Sequence, residues 1–354
     1  MLRHLYLLPL FVSAAAAALT YKGVDWSSTS LLESQGTKWY TSSGSPAALE
    51  TIMAQNGVNT VRQRIWVNPS GGVYGLDYNV ALARRAQKAG LKVYLDFHYS
   101  DTWADPAHQV PPAKWKGQGI DDLSNTLYQY TLQSMQAFKS AGIDVEMVSI
   151  GNEIRNGLLA PVGALDPSTN DVAWNTARLL HSASAGVRDA KLPRRPKIMI
   201  HIDNGWDASL QTKWYEKVLK ANSLLATDYD IQGVSYYPFY DSRATLANLA
   251  SGIRTLKSKY AKEVMVVETD WPSKCSSPKY PFPSDTKNIP FTTAGQAQWI
   301  QTVAKTAQQA GADGLFYWEP FWKSNANLGS SCEDNTFIDA QGRVTTALAA
   351  FKSI

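Results

Sequence analysis

The stretch LDYNVALARRAQKAGLKVYLDFHYS, residues 76–100, holds one complete passage from helix to strand. Residues 76–89 carry apolar positions at helical spacing, Gly90 stops the pattern, and KVYLDF (92–97) follows. Glycine suits that stop because a helix C-cap in the left-handed conformation has no room for a Cβ. The strand is apolar without clean alternation, as expected of a parallel strand buried on both faces. It runs out into the polar groups Asp96 and His98, followed by Asp101 and Trp103.

The same unit recurs on both sides of this stretch. YKGVDW (21–26), NTVRQRIWV (59–67), VEMVSI (145–150), KIMIHI (197–202), IQGVSY (231–236), VMVV (264–267) and GLFYW (314–318) read as seven further strands. Helical patterns lie between them. Ser45 is expected to cap a helix that starts with Pro46 and stops before Gly57. A second helix over 121–141 stops at Gly142, and Thr293 with Gln296 forms a capping box for one ending at Gly311. Eight alternations of strand and helix predict a single-domain α/β fold, a (β/α)8 TIM barrel. The rival, a doubly wound open sheet, lacks a glycine-rich phosphate fingerprint after its first strand.

The chain has 354 residues, long enough for such a barrel, with 34 basic and 30 acidic side chains scattered along it. The tightest basic cluster, 191–197, is interrupted by Leu192, Pro193 and Pro196. A nucleic-acid partner would need a basic stripe, so none is expected. Arg3 and His4, an apolar run over 5–12 and a series of alanines read as a signal peptide over residues 1–17, which predicts a secreted product. That run is too short to cross a bilayer, and no other stretch reaches ~18 apolar residues. No membrane span is therefore expected. The two cysteines, Cys275 and Cys332, are expected to pair in an oxidising compartment. A secreted depolymerase is expected to act as a monomer.

Twelve tryptophans and 17 tyrosines, many beside Asp, Asn, Gly or Pro, suggest a polar ligand that stacks. Polar residues gather at the C-terminal strand ends, where a barrel carries its active site. Two glutamates stand out because apolar strands deliver them: Glu153 after VSIGN and Glu268 after MVV. A buried carboxylate is costly unless paired or at work. Arginines such as Arg62 or Arg64 could serve merely as structural partners, or could hold one member of a glycosidase pair ionised. Such a pair needs one protonated and one ionised carboxyl. Trp66, Trp103, Trp271 and Trp318 are candidate platforms for sugar rings. Arg62, Asn152, Asp96, His98, Asp101, His201, Asp203, Tyr236 and Tyr237 are candidate hydrogen-bonding groups for the substrate.

The motifs VRQRIWVNPS (61–70), LDFHYSDTWADP (95–106), SIGNEIRNGLL (149–159), GVSYYPFY (233–240), VVETDWP (266–272) and FYWEP (316–320) together resemble glycosyl hydrolase family 53, the arabinogalactan endo-β-1,4-galactanases. The resemblance spans almost the whole chain after residue 17. It implies a retaining (β/α)8 hydrolase with Glu153 as acid/base and Glu268 as nucleophile. The implied substrate is a polysaccharide, the β-1,4-galactan side chains of pectic arabinogalactan, cut internally without a cofactor. It also implies Trp318 beneath the sugar next to the scissile bond. Another endo-β-1,4-glycanase on the same scaffold remains a close rival. A non-catalytic sugar-binding barrel should lack one glutamate. A zinc hydrolase should show denser histidines than the five here, and Glu333 with Asp334 is too little for a calcium cage. No metal is therefore expected.

Overall fold

The computed structural model describes residues 18–323, 332 and 334–354; the expected signal segment and Glu333 lie outside them. Eight strands, β1 (Tyr21–Asp25), β2 (Thr60–Ile65), β3 (Lys92–Phe97), β4 (Val145–Ile150), β5 (Lys197–Ile202), β6 (Ile231–Ser235), β7 (Glu263–Glu268) and β8 (Gly314–Tyr317), form a closed barrel in sequence order. Every pairing is parallel, and Tyr21 opposite Gly314 closes the ring. The (β/α)8 reading holds; the readings of β1, β6 and β8 lose one residue and that of β2 three, while β7 gains one at each end. Trp66, Tyr236 and Trp318 therefore sit just beyond their strands.

The barrel interior is filled by Tyr21, Tyr94, Met147, Met199, Ile231, Met265, Val267 and Phe316. Gly23 makes room for this filling: a Cβ there would stand 2.2 Å from the Phe316 ring. Outside, the helices α1 (Thr29–Ser34), α2 (Leu49–Gln55), α3 (Leu76–Lys88), α4 (Ile120–Ser140), α5 (Trp174–Asp189), α6 (Ala208–Leu219), α7 (Leu246–Tyr260) and α8 (Thr293–Gln309) bury one apolar face each on the strands. A 3-10 helix, Thr346–Lys352, takes the final helical place beside α8. The glycines predicted to stop four of these helices all adopt positive φ.

Two helix starts differ from expectation. Ser45 does not cap α2. Its carbonyl accepts from the Thr41 amide in a tight turn and Pro46 pairs antiparallel with Tyr40, so the helix begins three residues later, at Leu49. Gln296 makes no capping box. Thr292 caps α8 through Gly295, and the buried Gln296 amide donates to the carbonyls of Trp271, Asp334 and Thr336. It ties the segments after β7 and β8 together, as does the Cys275–Cys332 disulfide.

Candidate active site

Arg62 and Arg64 on β2 are two residues apart and so share a face of the strand. Both are 1% exposed and form the charged floor beneath the C-terminal mouth of the barrel. Arg62 donates to Asp25 (2.6 Å), Asp96 (2.8 Å), Asn152 (2.8 Å) and Glu268 (2.7 Å). Arg64 pairs with Glu319 at 2.5 Å and donates to Ser28 Oγ at 2.8 Å. Its guanidinium also lies 4.5 Å from the Trp103 ring and 5.1 Å from that of Trp322. One arginine thus anchors the Glu268 carboxylate, and its neighbour anchors an aromatic wall.

Glu153 and Glu268 come from strands on opposite sides of the ring and line one cleft of about 660 Å³. Glu268 ends β7, with its Oε1 on Arg62 and its Oε2 accepting from the Tyr237 hydroxyl at 2.8 Å. Glu153 follows Gly151 and Asn152 and adopts a left-handed φ of 48°. That conformation is strained for a side chain with a Cβ and is held by the surrounding structure. Its Oε1 accepts from Ser235 Oγ at 2.6 Å. Arg62 reaches only the Glu268 member of the pair.

The electrostatics follow from these partners. Burial, and then the charges of Glu268 and Asp203, push the Glu153 carboxyl well above its ordinary range. Burial also pushes Glu268 up, to about 7, but Arg62 and the Tyr237 hydroxyl oppose it. The proton of the pair therefore resides on Glu153 and the charge on Glu268. Asp203, pushed up to about 6 by burial, faces Arg155 at 3.2 Å.

Six of the candidate substrate residues, His98, Trp103, Asn152, Asp203, Tyr237 and Trp318, line the cleft with the two glutamates. Seven do not. Arg62 and Asp96 lie in the floor, already paired with each other. His201 stands behind Ser235, at 2.8 Å from its hydroxyl. Trp66 backs the wall, its ring 5.4 Å from Trp103 and its Nε1 donating to His98. Asp101 accepts from the amides of Asn68 and Ala113 and shapes a loop. Tyr236 points away from the barrel mouth, stacked on Trp299 with its hydroxyl on the Ala244 carbonyl. Trp271 is 1% exposed between Phe282 and Trp299, so it cannot act as a sugar platform.

Sequence reasoning passed over Ser235, Asp270, Arg155 and Trp322, which also line the cleft. Two carried a signal in the two-residue period of extended chain: Ser235 lies two before Tyr237 and Asp270 two after Glu268. Arg155 did not, because it sits in a 3-10 turn, Ile154–Asn156, that follows the left-handed Glu153. Trp322 had none. Among the described residues no group of three His, Cys, Asp or Glu side chains is placed to hold a metal ion. No helix among them is long and apolar enough to cross a membrane.

Residues 21–351 match the sequence model of glycosyl hydrolase family 53. The chain belongs to that family. It is 53% identical over 339 residues to the arabinogalactan endo-β-1,4-galactanase of Thermothelomyces thermophilus, across 95% of this chain and 100% of that one. Identity to the Humicola insolens protein of the same name is 52% over 338 residues, with the same coverage. A solved fungal β-1,4-galactanase superposes with a TM-score of 0.92 at 53% identity, covering 95% of this chain and 100% of that one. The GH53 catalytic domain of Ignisphaera aggregans gives 0.81 at 26% identity, with 98% of each chain covered. In this family 53 hydrolase the floor, the carboxyl pair and the aromatic wall stand at the C-terminal ends of the strands, where loops can vary without disturbing the barrel.

Proposed function

We propose that the chain is a secreted, monomeric, endo-acting retaining hydrolase of β-1,4-galactan in pectic arabinogalactan. The observation that carries the mechanism is the asymmetry of the carboxyl pair. Glu268 has a guanidinium and a phenol on its two oxygens, whereas Glu153 has one hydroxyl and acidic neighbours. Glu268 attacks the anomeric carbon as the glycosidic bond breaks, and the departing oxygen takes the proton of Glu153. The glycosyl–Glu268 ester is then cut by water, which loses its proton to Glu153 and restores both groups. Tyr237 and Arg62 hold Glu268 in line. Asn152, His98 and Asp203 face the space where sugar hydroxyls would lie, and Trp318 and Trp103 offer apolar ring faces. The galactan preference is supported by the names of the relatives more than 50% identical over nearly the full chain.

The test is reducing-sugar release from potato galactan, mannan and carboxymethyl cellulose by the purified wild type and Glu268→Ala. Galactan should be cut and the other two spared. The alanine variant should be inactive, with partial recovery in azide as the small anion takes the vacated place. Near wild-type turnover in Glu268→Ala overturns the nucleophile, and preference for mannan overturns the substrate. Proton NMR of the first product from a β-linked substrate should show the β-anomer.

A further inference from the structure

The hydroxyl of Ser235 sits between two groups that never meet. It donates to Glu153 Oε1 at 2.6 Å, and it lies 2.8 Å from Nε2 of His201. We propose that Ser235, polarised by His201, is a positioning residue that locks the acid/base glutamate so that its other oxygen, Oε2, carries the catalytic proton. This rests on the reading of Glu153 as the acid/base.

The argument begins with hydrogen count. A serine hydroxyl has one proton and can donate to only one neighbour. If that proton goes to Glu153, His201 must donate from Nε2. The other ring nitrogen, Nδ1, is buried without a partner. In the Nε2–H tautomer Nδ1 is an unsatisfied acceptor; in the alternative it would be an orphaned buried N–H, the rarer and costlier arrangement. The tautomer that leaves Nδ1 bare of hydrogen is therefore favoured, and it points the serine proton at Glu153. His201 stays neutral while it does so. Burial, then the Arg62 charge and, more weakly, His98 pull it down to about 3, and Asp96 does not restore it.

Both partners are fixed from behind. His201 is fully buried near the end of β5 and Ser235 ends β6. The pairing of β6 with β7 slips between Val234 and Ser235, so that Ser235 comes opposite Glu268. A bulge of this kind re-aims a side chain next to an active site. The Gly205 amide donates to the Ser235 carbonyl (2.9 Å), and the next amide, that of Tyr236, donates to the Glu268 carbonyl (2.8 Å). The serine is thus held against β5 on one side and the nucleophile strand on the other. Glu153 Oε2 has no hydrogen-bond partner among the described residues, and Glu153 lines the cleft. With Oε1 occupied, a proton placed on Oε2 faces the substrate.

The largest charges acting on Glu153 are those of Glu268, Asp203 and Asp105, all acidic; the Tyr237 and Tyr240 phenols stand near it, Arg155 and His98 line the same cleft, and the serine hydrogen bond favours its ionised form. Removing the hydroxyl raises the Glu153 pKa and frees its rotation. In Ser235→Ala the alkaline limb of kcat/KM should move to higher pH. The kcat/KM for galactan, a poor leaving group, should fall about ten- to a hundredfold, because a misplaced acid loses much of its advantage. For a dinitrophenyl galactobioside, which leaves without a proton, kcat/KM should change less than threefold. Ser235→Thr should recover most of the galactan activity, and His201→Gln, which keeps a donor, should retain more of it than His201→Leu.

Equal losses on both substrates in Ser235→Ala, with an unmoved alkaline limb, overturn the proposal. So does a loss that tracks the melting temperature. Glu153→Gln in the same assay separates the two readings. If it loses galactan activity selectively while Ser235→Ala does not, only the serine role fails. If Glu153→Gln shows no leaving-group dependence, the acid assignment itself fails.

Discussion

Trp318 and Tyr237 show how much of the site rests on single side chains. The Trp318 ring lies in the cleft wall, 6.0 Å from Trp103 and 6.3 Å from Trp322. It is half-buried, so its loss should cost binding more than folding. Trp318→Ala should lower kcat/KM on galactan roughly tenfold or more, by analogy with aromatic stacking worth ~1–3 kcal/mol, with little change in melting temperature. A drop in activity that merely follows the melting temperature would assign the ring to the core. Tyr237 donates to Glu268 and helps keep it ionised. Tyr237→Phe therefore raises the Glu268 pKa, and the acid limb of the pH–rate profile should move up. At this scale the arrival of Glu153, Glu268, Asn152 and Trp318 at one cleft was legible in the sequence because a barrel gathers the C-terminal ends of its strands at one mouth. Tyr236 and Tyr237 were not separable without the register: adjacent residues of an extended chain face opposite ways, and only one could enter the cleft.

Close backbone contacts and the single cross-link hold the loops that carry the site. Gly252 in α7 abuts the loop after β5: a Cβ there would stand 2.1 Å from the Gly205 carbonyl oxygen. Backbone cannot rotate out of the way as a side chain can. Gly252→Ala should therefore destabilise the fold by about 1–3 kcal/mol, the usual cost of overpacking, measured by urea unfolding, with activity lost through the displaced Asp203–Asn204 turn. The Cys275–Cys332 bond closes a loop 57 residues long. Chain entropy sets its stabilisation at about 4 kcal/mol. Replacing both cysteines by serine should lower the melting temperature while kcat/KM on galactan stays within a few-fold. A comparable fall in kcat/KM at a temperature where the variant is folded would give the bond a direct part in shaping the cleft. The helices closed by Gly57, Gly90, Gly142 and Gly311 were legible because local backbone geometry alone selects glycine there. Ser45 misled because a local turn opening with Thr41 takes up its backbone, and Gln296 because its hydrogen bonds go to segments 25 and 40 residues away that only the fold brings near.

Charge crowding at the barrel mouth governs the molecule as a whole. Five carboxyls, the half-buried Glu153 and the buried Asp203, Glu268, Asp270 and Glu319, are raised by removal from water. Each releases its proton at a higher pH in the fold than in the unfolded chain, where release centres near pH ~4. Their stabilisation is complete below that pH and is lost as pH rises through the folded values, about 6 for Asp203 and about 7 for Glu268 and Glu319. His98 and His201, lowered by burial, act in the opposite sense below pH ~6.5, but two groups oppose five. Carboxyls held low despite burial, such as Asp96 beside Arg62 and Asp228 beside His181, lose their contribution only as pH falls below about 4. The melting temperature of the substrate-free protein should thus peak in mildly acid solution and fall toward neutrality. Asp270→Asn should flatten that fall, since both Asp270 oxygens are buried without partners beside the charge of Glu268. A melting temperature that rises from pH 5 to pH 7.5 would contradict this account.

Apolar runs, helix stops and polar strand ends were enough for the sequence alone to determine the barrel and its eight-fold order, and to single out two glutamates that the fold brings to one cleft. Those signals arise within a few residues of chain, from burial on both strand faces and from backbone geometry. The tertiary structure alone decided which neighbour each polar group meets. Arg62 could have held either glutamate, and the barrel gave it to Glu268. Trp271 could have faced sugar, and packing against Trp299 withdrew it. Ser235 acquired its place through a slip in strand register opposite β7 and a histidine 34 residues earlier. Pairings of this kind depend on distances across the ring, which no spacing along the chain encodes.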